Sequence, residues 1–325
     1  MNDLVDIILP NYNKENFLEE TINSVLKQNF NNWKLFIIDN CSTDNSKKII
    51  EKFTSNKKII IIYLKKNMGV SFSRNLGIRL SNSKYISFID ADDLWSPNKL
   101  GDQISFMEKN NYSFTYTDYT PFFSRNNKII YKKRIVTPNT FDFDKFVNNT
   151  SIGTSSMILS RNIIGTTKFP KVDTLEDFPF KCKILNKGKI AIKFNQNAIF
   201  YRITKNSLTS NKLKNLFWLW QINKKYNKLN FFKNLKSLVL ISINSLKKYG
   251  FNPESFYPCY GLAEATLFAS GGIPQNGAII NSFDVQDNKA IPTPKSTKGK
   301  KYVSCGDSSM SQDLQLLGDN DIFTK

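Results

Sequence analysis

No histidine occurs anywhere in the 325 residues, and the four cysteines stand far apart at Cys41, Cys182, Cys259 and Cys305. Neither paired cysteines nor a cysteine–histidine set is available to build a zinc site, and a reduced, cytosolic compartment fits this usage best. Long uncharged apolar runs are missing too. The chain enters a strand pattern at residues 5–9 without a basic segment and long apolar stretch, so neither a signal peptide nor a spanning anchor is expected. The protein is therefore expected inside the cell. Acid is the scarce charge: 46 Lys and Arg face 27 Asp and Glu, a formal +19. Residues 251–325 hold 6 Lys and 8 Asp or Glu, so the first 250 residues carry +21 and the remainder −2. A basic body attracts nucleic acid, anionic lipid headgroups or phosphorylated substrates, and sign does not choose among them. Lys, Asn and Ile are abundant together, so compositional bias accounts for the charge equally well.

What is present is enough apolar surface to fold: 40% hydrophobic and 13% aromatic residues. The length favours one large or two unequal units. Short β-branched or aromatic runs at 5–9, 34–38, 59–64 and 85–89 read as strands. Between them Phe17, Ile22, Val25 and Leu26 recur at helical spacing, 44–53 opens with a capping Asp44, and 70–80 forms a third amphipathic segment. Strand–helix alternation predicts an α/β fold with a mostly parallel sheet and ligands outside the carboxyl ends of its strands. The conspicuous polar residues fall there, at 11–13, 39–44 and 90–93. Residues 111–134 alternate as strands with a turn at Asn126 and Asn127, and 175–185 reads as a helix.

Residues 212–249 read as two basic amphipathic helices rich in Trp and Phe, able to pack on the domain or to lie in a membrane interface as a peripheral contact. After Gly250 the basic charge vanishes and periodicity is weak. The expected organisation is a domain over 1–210, helices over 211–250 and an irregular tail over 251–325.

Asp90 and Asp92 end a strand as an Asp-x-Asp pair. Hard carboxylates so placed can share Mn²⁺ or Mg²⁺ with phosphate oxygens and water. Alone, such a pair reads as a solvated turn. Five ordered motifs change that reading: Ile7 to Asn13, Phe17-Leu18 with Ser24 to Gln28, Ile38 to Asp44, Asn67 to Val70 with Arg74 to Gly77, and the Asp90 segment. Together they resemble the family 2 glycosyltransferases over residues 4 to about 210. The resemblance implies a GT-A fold, a Rossmann-like nucleotide-binding sheet flanked by helices. It also implies inverting, metal-dependent transfer of a sugar from a nucleotide-diphosphate donor to a glycan or lipid-linked acceptor in cell-surface polysaccharide synthesis; the basic helices would place such an enzyme peripherally on the inner face of the membrane. It places Pro10, Asn11 and Tyr12 in the nucleotide pocket, Asp39 on base or ribose, Arg74 near base or diphosphate, and Asp90 and Asp92 on ribose and metal. Glu176 and Asp177 match the acidic pair at a helix start, with Asp177 the expected base; such a pair is otherwise an ordinary helix cap. The segment Thr154 to Met157 resembles the acceptor-side strand, and Tyr201-Arg202 with Ser207-Leu208 the closing motif. Thr204 stands where many relatives carry a His that ligates metal, and Asn40-Cys41 where Asp-Gly is frequent.

In the tail, residues 251–267 and 303–306 resemble fatty acyl-AMP ligases around Tyr260, Gly261 and Glu264. Neither the phosphate loop nor the catalytic Lys of those enzymes is present, so a fragment without ligase activity is expected. A non-catalytic sugar-nucleotide binder and a basic nucleic-acid-binding protein remain alternatives, although no nucleic-acid motif supports the latter.

Overall fold

A computed structural model describes residues 4–125, 128–204, 212–248, 280–286, 289–293 and 300–303. Two compact units are present, Met1–Ser242 and Ile243–Lys325. The first opens as the alternation predicts, with β1 (Val5–Asn11), α1 (Leu18–Leu26), β2 (Trp33–Asp39), α2 (Ser46–Glu51), β3 (Ile59–Tyr63), α3 (Val70–Leu80) and β4 (Tyr85–Phe88). These four strands are parallel neighbours in the order β3-β2-β1-β4. Chain direction across the sheet reverses between β1 and β4, which opens a crevice at their carboxyl ends.

The sheet continues with β5 (Leu94–Trp95), then α4 (Lys99–Asn110), β6 (Phe114–Arg125), β7 (Lys128–Tyr131), β8 (Thr140–Phe141) and α5 (Phe143–Val147). After a 3-10 turn (Thr154–Ser156) come β9 (Ile158–Ser160), α6 (Arg161–Ile164), α7 (Asp177–Leu185) and β10 (Ala191–Arg202). The full order is β3-β2-β1-β4-β9-β6-β10-β5, with β7 on β6 and β8 on β10. β9 runs antiparallel to both β4 and β6, so the parallel half becomes a mixed sheet.

Both faces are covered, which is why β1 is buried along its whole length and is apolar from Ile7 to Pro10. Val5, Ile7 and Leu9 pack with Ile22 and Val25 of α1 and Ile104 of α4. Ile8 points the other way, among Phe36, Phe88, Phe178 and Phe180. Gly77 brings α3 close to that face: a Cβ there would lie 2.6 Å from Ile8 Cγ2.

α8 (Lys212–Lys225) and α9 (Phe231–Lys248) follow. Leu219 and Ile222 of α8 and Ile241 of α9 join the core around Ile8, so these helices pack on the transferase-like sheet. In the second unit, β11 (Ile280–Gln286), β12 (Lys289–Thr293) and β13 (Lys300–Val303) form an antiparallel sheet in the order β12-β11-β13. The tail is therefore not wholly irregular, a correction to the sequence reading: β12 and β13 are short, and β11 carries Asn281, Ser282, Asp284 and Gln286 among its apolar residues. The ligase-like residues 251–267, with Ser304, Cys305 and Gly306, lie outside the described residues, as do Ser207 and Leu208.

Candidate active site

The crevice begins where β1 and β2 end in register, Asn11 opposite Asp39. Asn11 Nδ2 donates to Asp39 Oδ1 at 2.8 Å and to Ser42 Oγ at 3.1 Å. The Ser42 hydroxyl and backbone N–H donate to the two oxygens of the same carboxylate at 2.6 and 3.0 Å. Asp39 is thus fixed in place, while Asn11 Oδ1 is buried with no donor. A buried acceptor without a partner is costly in the free protein, and a ligand N–H or hydroxyl would satisfy it. Pro10 is buried at the strand end beside it, and Tyr12 stands 43% exposed at the mouth. Asn13 and Cys41, in the loops after β1 and β2, have φ of +51° and +63°. Cys41 lies in the left-handed region that costs most residues about 1–2 kcal/mol and that glycine adopts freely.

β4 leads into the second wall. Its carboxylates Asp90, Asp92 and Asp93 are arranged by a turn in which Asp93 N–H donates to Asp90 O at 3.0 Å. Asp93 is buried and accepts from Ser155 Oγ at 2.5 Å and from the Arg202 backbone at 3.1 Å. Burial, then the charges of Asp92 and Asp90, push its carboxyl well above the usual range. It serves as an anchor. Arg202 completes the clamp by donating to Asp92 O at 2.9 Å and to Glu20 at 2.5 Å, with its guanidinium over Phe17 and Phe122. Asp92 itself faces the crevice and pairs with Lys14 Nζ at 2.5 Å. Burial raises its pKa, Lys14 opposes that, and Asp90 adds to it.

Arg74 joins the two sides of the site. From α3, 3% exposed, it bridges Asp90 Oδ1 at 2.6 Å and Glu176 Oε1. Burial works against its charge, but Asp90, then Glu176 and Asp177, outweigh burial and raise its pKa further. Asp177, the first residue of α7, pairs with Lys181 one turn on at 2.6 Å and accepts from Thr154 Oγ1 at 2.7 Å. Lys181 is buried and donates also to Ile152 O at 2.7 Å. Burial alone would raise the Asp177 pKa; the Lys181 charge and hydrogen bond, then Arg74 and Thr154, hold it down to about 2. Leu175, just before, sits at φ +58°.

The nine residues singled out in the sequence fall in two groups. Pro10, Asn11, Tyr12 and Asp39 form the β1–β2 side, and Arg74 ties Asp90 to the α7 start. Lys14, Lys181 and the anchoring role of Asp93 had no part in the sequence reading. Lys181 was legible as an i,i+4 partner of Asp177, whereas Lys14 had only its place in the turn after β1 as a signal. Thr154 to Ser156 form a 3-10 turn where a strand was expected, because Ser155 and Thr154 spend their hydroxyls on Asp93 and Asp177; the strand starts at Ile158.

The donor set suits a hard divalent ion completed by its ligand. Among the described residues no cluster of three His, Cys, Asp or Glu side chains could hold a metal unaided. Four carboxylates, Asp90, Asp92, Glu176 and Asp177, are paired with three cations, Lys14, Arg74 and Lys181. In these pairs the carboxylates outnumber the cations by one, which would favour a diphosphate that arrives with a cation. Asp92 and Asp90 would hold that cation, Asp92 after parting from Lys14.

Residues 6–166 match the family model described as glycosyl transferase family 2. A Bacillus subtilis (strain 168) protein named as the teichuronic acid biosynthesis glycosyltransferase TuaG is 30% identical over 246 residues, covering 75% of this chain and 97% of its own. The Escherichia coli UDP-Glc:alpha-D-GlcNAc-diphosphoundecaprenol beta-1,3-glucosyltransferase WfgD is 36% identical over 220 residues, 67% of this chain and 85% of its own. Among solved structures, S. aureus TarS 1-349 in complex with UDP-GlcNAc superposes with a TM-score of 0.57 at 16% identity, over 75% of this chain and 72% of that one. The mannosyltransferase PcManGT from Pyrobaculum calidifontis, in complex with GDP-Man and Mn2+, gives 0.55 at 15% identity over 77% and 76%. These two share the fold, and the sequence relatives span nearly their whole length. With the parallel sheet, the Asp-x-Asp turn and the acidic helix start, they establish that the chain belongs to glycosyl transferase family 2, with a GT-A fold.

Proposed function

We propose that this glycosyltransferase moves a sugar from a nucleotide-diphosphate donor to a hydroxyl of a glycan or lipid-linked acceptor, with inversion, in cell-surface polysaccharide assembly. The observation that carries the reading is the Arg74 bridge, which sets the Asp90–Asp92 turn and the Asp177 carboxylate around one crevice. Donor chemistry fits the first wall: Asp39 and Asn11 Oδ1 accept from base or ribose, and Pro10 and Tyr12 line the base. Asp90 reaches ribose, and Asp92 with Asp90 would hold Mn²⁺ or Mg²⁺. Such an ion, when bound, offsets the charge that grows on the leaving diphosphate. Acceptor chemistry fits the second wall. Asp177 takes the proton of the acceptor hydroxyl as its oxygen bonds to the anomeric carbon, and the bond from that carbon to the diphosphate breaks. Lys181 keeps Asp177 ionised and Thr154 fixes its direction. Glu176 holds Arg74 and stands beside the base without being it. The names of TuaG and WfgD support a cell-envelope polymer or lipid-diphosphate sugar as acceptor.

A thermal-shift screen of nucleotide sugars with and without Mn²⁺ tests the donor reading, since a ligand that binds only the folded state raises apparent stability. A UDP- or GDP-sugar is expected to raise the melting temperature, and more so with metal. Asp92→Asn should lose the metal-dependent part and turnover while keeping the fold. Unchanged turnover in that variant would remove Asp92 from the metal site.

A further inference from the structure

Besides the apolar residues that α8 and α9 bury in the core, α9 buries two polar side chains and leaves a row of apolar ones exposed. On α9, Asn234 and Ser237 point inward. The Asn223 side chain of α8 donates to Asn234 Oδ1 at 3.0 Å and to Ser237 Oγ at 3.1 Å, and Ser237 Oγ donates to Val147 O at 2.5 Å. This buried polar network fixes the rotation of α9 about its axis. The opposite side then carries Phe231, Leu235 and Val239 at i, i+4 and i+8, with Phe232 beside them, all 47–79% exposed. The stripe extends to α8 through Trp220, edge-on to Phe231 at 5.5 Å, and Phe217 is 58% exposed on the same helix. Residues 212–242 hold seven Lys and no Asp or Glu, and Lys224, Lys225, Lys228, Lys233 and Lys236 are exposed.

We infer that the α8–α9 face is a docking surface for an anionic lipid bilayer, lying in the headgroup region with its aromatic stripe inserted and its lysines among the acidic headgroups. Charge complementarity selects this occupant. A second copy of the chain would bring the same lysines face to face, whereas an acidic leaflet attracts each of them, and aromatic side chains favour the interface. No helix among the described residues is long and apolar enough to cross a membrane, which agrees with a face that lies on the bilayer. This inference goes beyond the proposed reaction and needs neither donor nor acceptor to be known.

The test is cosedimentation of the full-length protein with phosphatidylcholine vesicles, with or without about one third phosphatidylglycerol. Binding is expected only with the anionic lipid and should weaken steeply with added salt. Phe232→Ser with Leu235→Ser, and separately Lys233→Glu with Lys236→Glu, should each weaken binding by on the order of tenfold or more at unchanged melting temperature. All four side chains are exposed, so loss of fold is not the expected cause; a variant that melts early is replaced by Phe232→Ser alone, the most exposed position. Failure of the unaltered protein to bind anionic vesicles would overturn the inference, as would full binding by both double variants. So would a concentration-dependent dimer in sedimentation equilibrium that Phe232→Ser with Leu235→Ser dissolves, which would assign the face to a second copy.

Discussion

Replacing Asp177 by Asn separates chemistry from structure only if the two effects are measured apart, because Asp177 also partners a buried cation. The structural part follows from Lys181. With its side chain 1% exposed, it would lose its counter-ion but keep Ile152 O and Thr154 Oγ1 as acceptors. A charged hydrogen bond lost at such a site costs roughly 1.5–3 kcal/mol. The lowered Asp177 pKa, which the same Lys181 pair causes, points the same way: a drop from 3.8 to about 2 corresponds to about 2 kcal/mol. Its sign is that of a depressed carboxylate, so the stabilisation is complete above about pH 4 and is lost as pH falls through about 2. At 2–4 °C per kcal/mol for a unit of this size, Asp177→Asn should melt roughly 3–12 °C lower at neutral pH. The chemical part is larger. Loss of a general base slows transfer by roughly 10²–10⁴ while donor affinity is kept. Adding Lys181→Met removes the stranded charge and should return most of the melting temperature without returning turnover. Single-turnover transfer and calorimetry on the two variants decide the matter. If the double variant regains activity, or Glu176→Gln shows the deeper loss of turnover with Asp177→Asn unaffected, Asp177 is not the base. A carboxylate held near 2 also predicts no acid limb from this group in kcat/KM above about pH 4.

Lys14→Met should strengthen Mn²⁺ binding to the nucleotide-free protein several-fold, because no ammonium has to leave Asp92, and should weaken metal-free binding of a nucleoside diphosphate; manganese electron paramagnetic resonance and calorimetry read the two directions. Gly77→Ala should destabilise by about 1–3 kcal/mol in thermal melts, since its methyl meets the Ile8 side chain at a packed helix–strand contact. Cys41→Gly should be neutral or stabilising by up to about 1 kcal/mol, relief of the left-handed strain being set against the freer unfolded chain, with donor affinity unchanged.

The parallel half of the fold was legible because most of it is buried on both faces: its strands are short β-branched or aromatic runs, and α3 spans Val70–Leu80 as its periodicity requires. α2 is shorter than expected, Ser46–Glu51, because Asp44 turns its carboxylate to the N–H groups of Glu15 and Ser46 and tethers the β1 loop ahead of the helix. The residues of the crevice were legible as motifs, but their partners were not. Arg74 and Glu176 are 102 positions apart, and no local spacing announces their contact. The same holds for Lys14 and Asp92, 78 apart. Contacts of this kind depend on the switch in strand order, which brings the ends of β1 and β4 together only once the sheet is assembled. The mixed half of the sheet was read no further than its alternation, since β9 has three residues and β8 two.

The free site spends its charges on itself, and that shapes how it can work. Asp92 is held by Lys14, Asp177 by Lys181, and Arg74 is shared between Asp90 and Glu176. Two of these cations are buried and tied to acceptors that stay in place, so Arg74 and Lys181 cannot swing to a ligand without leaving carboxylates unpaired. Lys14 differs, being about one third exposed and sitting on a loop after β1. It is the one of the three that can exchange its partner for a phosphate at small cost. A donor bringing its own divalent ion would supply Asp92 with a replacement charge and take Lys14 onto its diphosphate, leaving the Arg74 bridge intact. The base on α7 would then keep its position through the exchange, because the bridge that orients Glu176 and the ion pair that holds Asp177 take no part in it. On the proposed reading, a rigid acceptor side and an exchangeable donor side follow from which cations are buried.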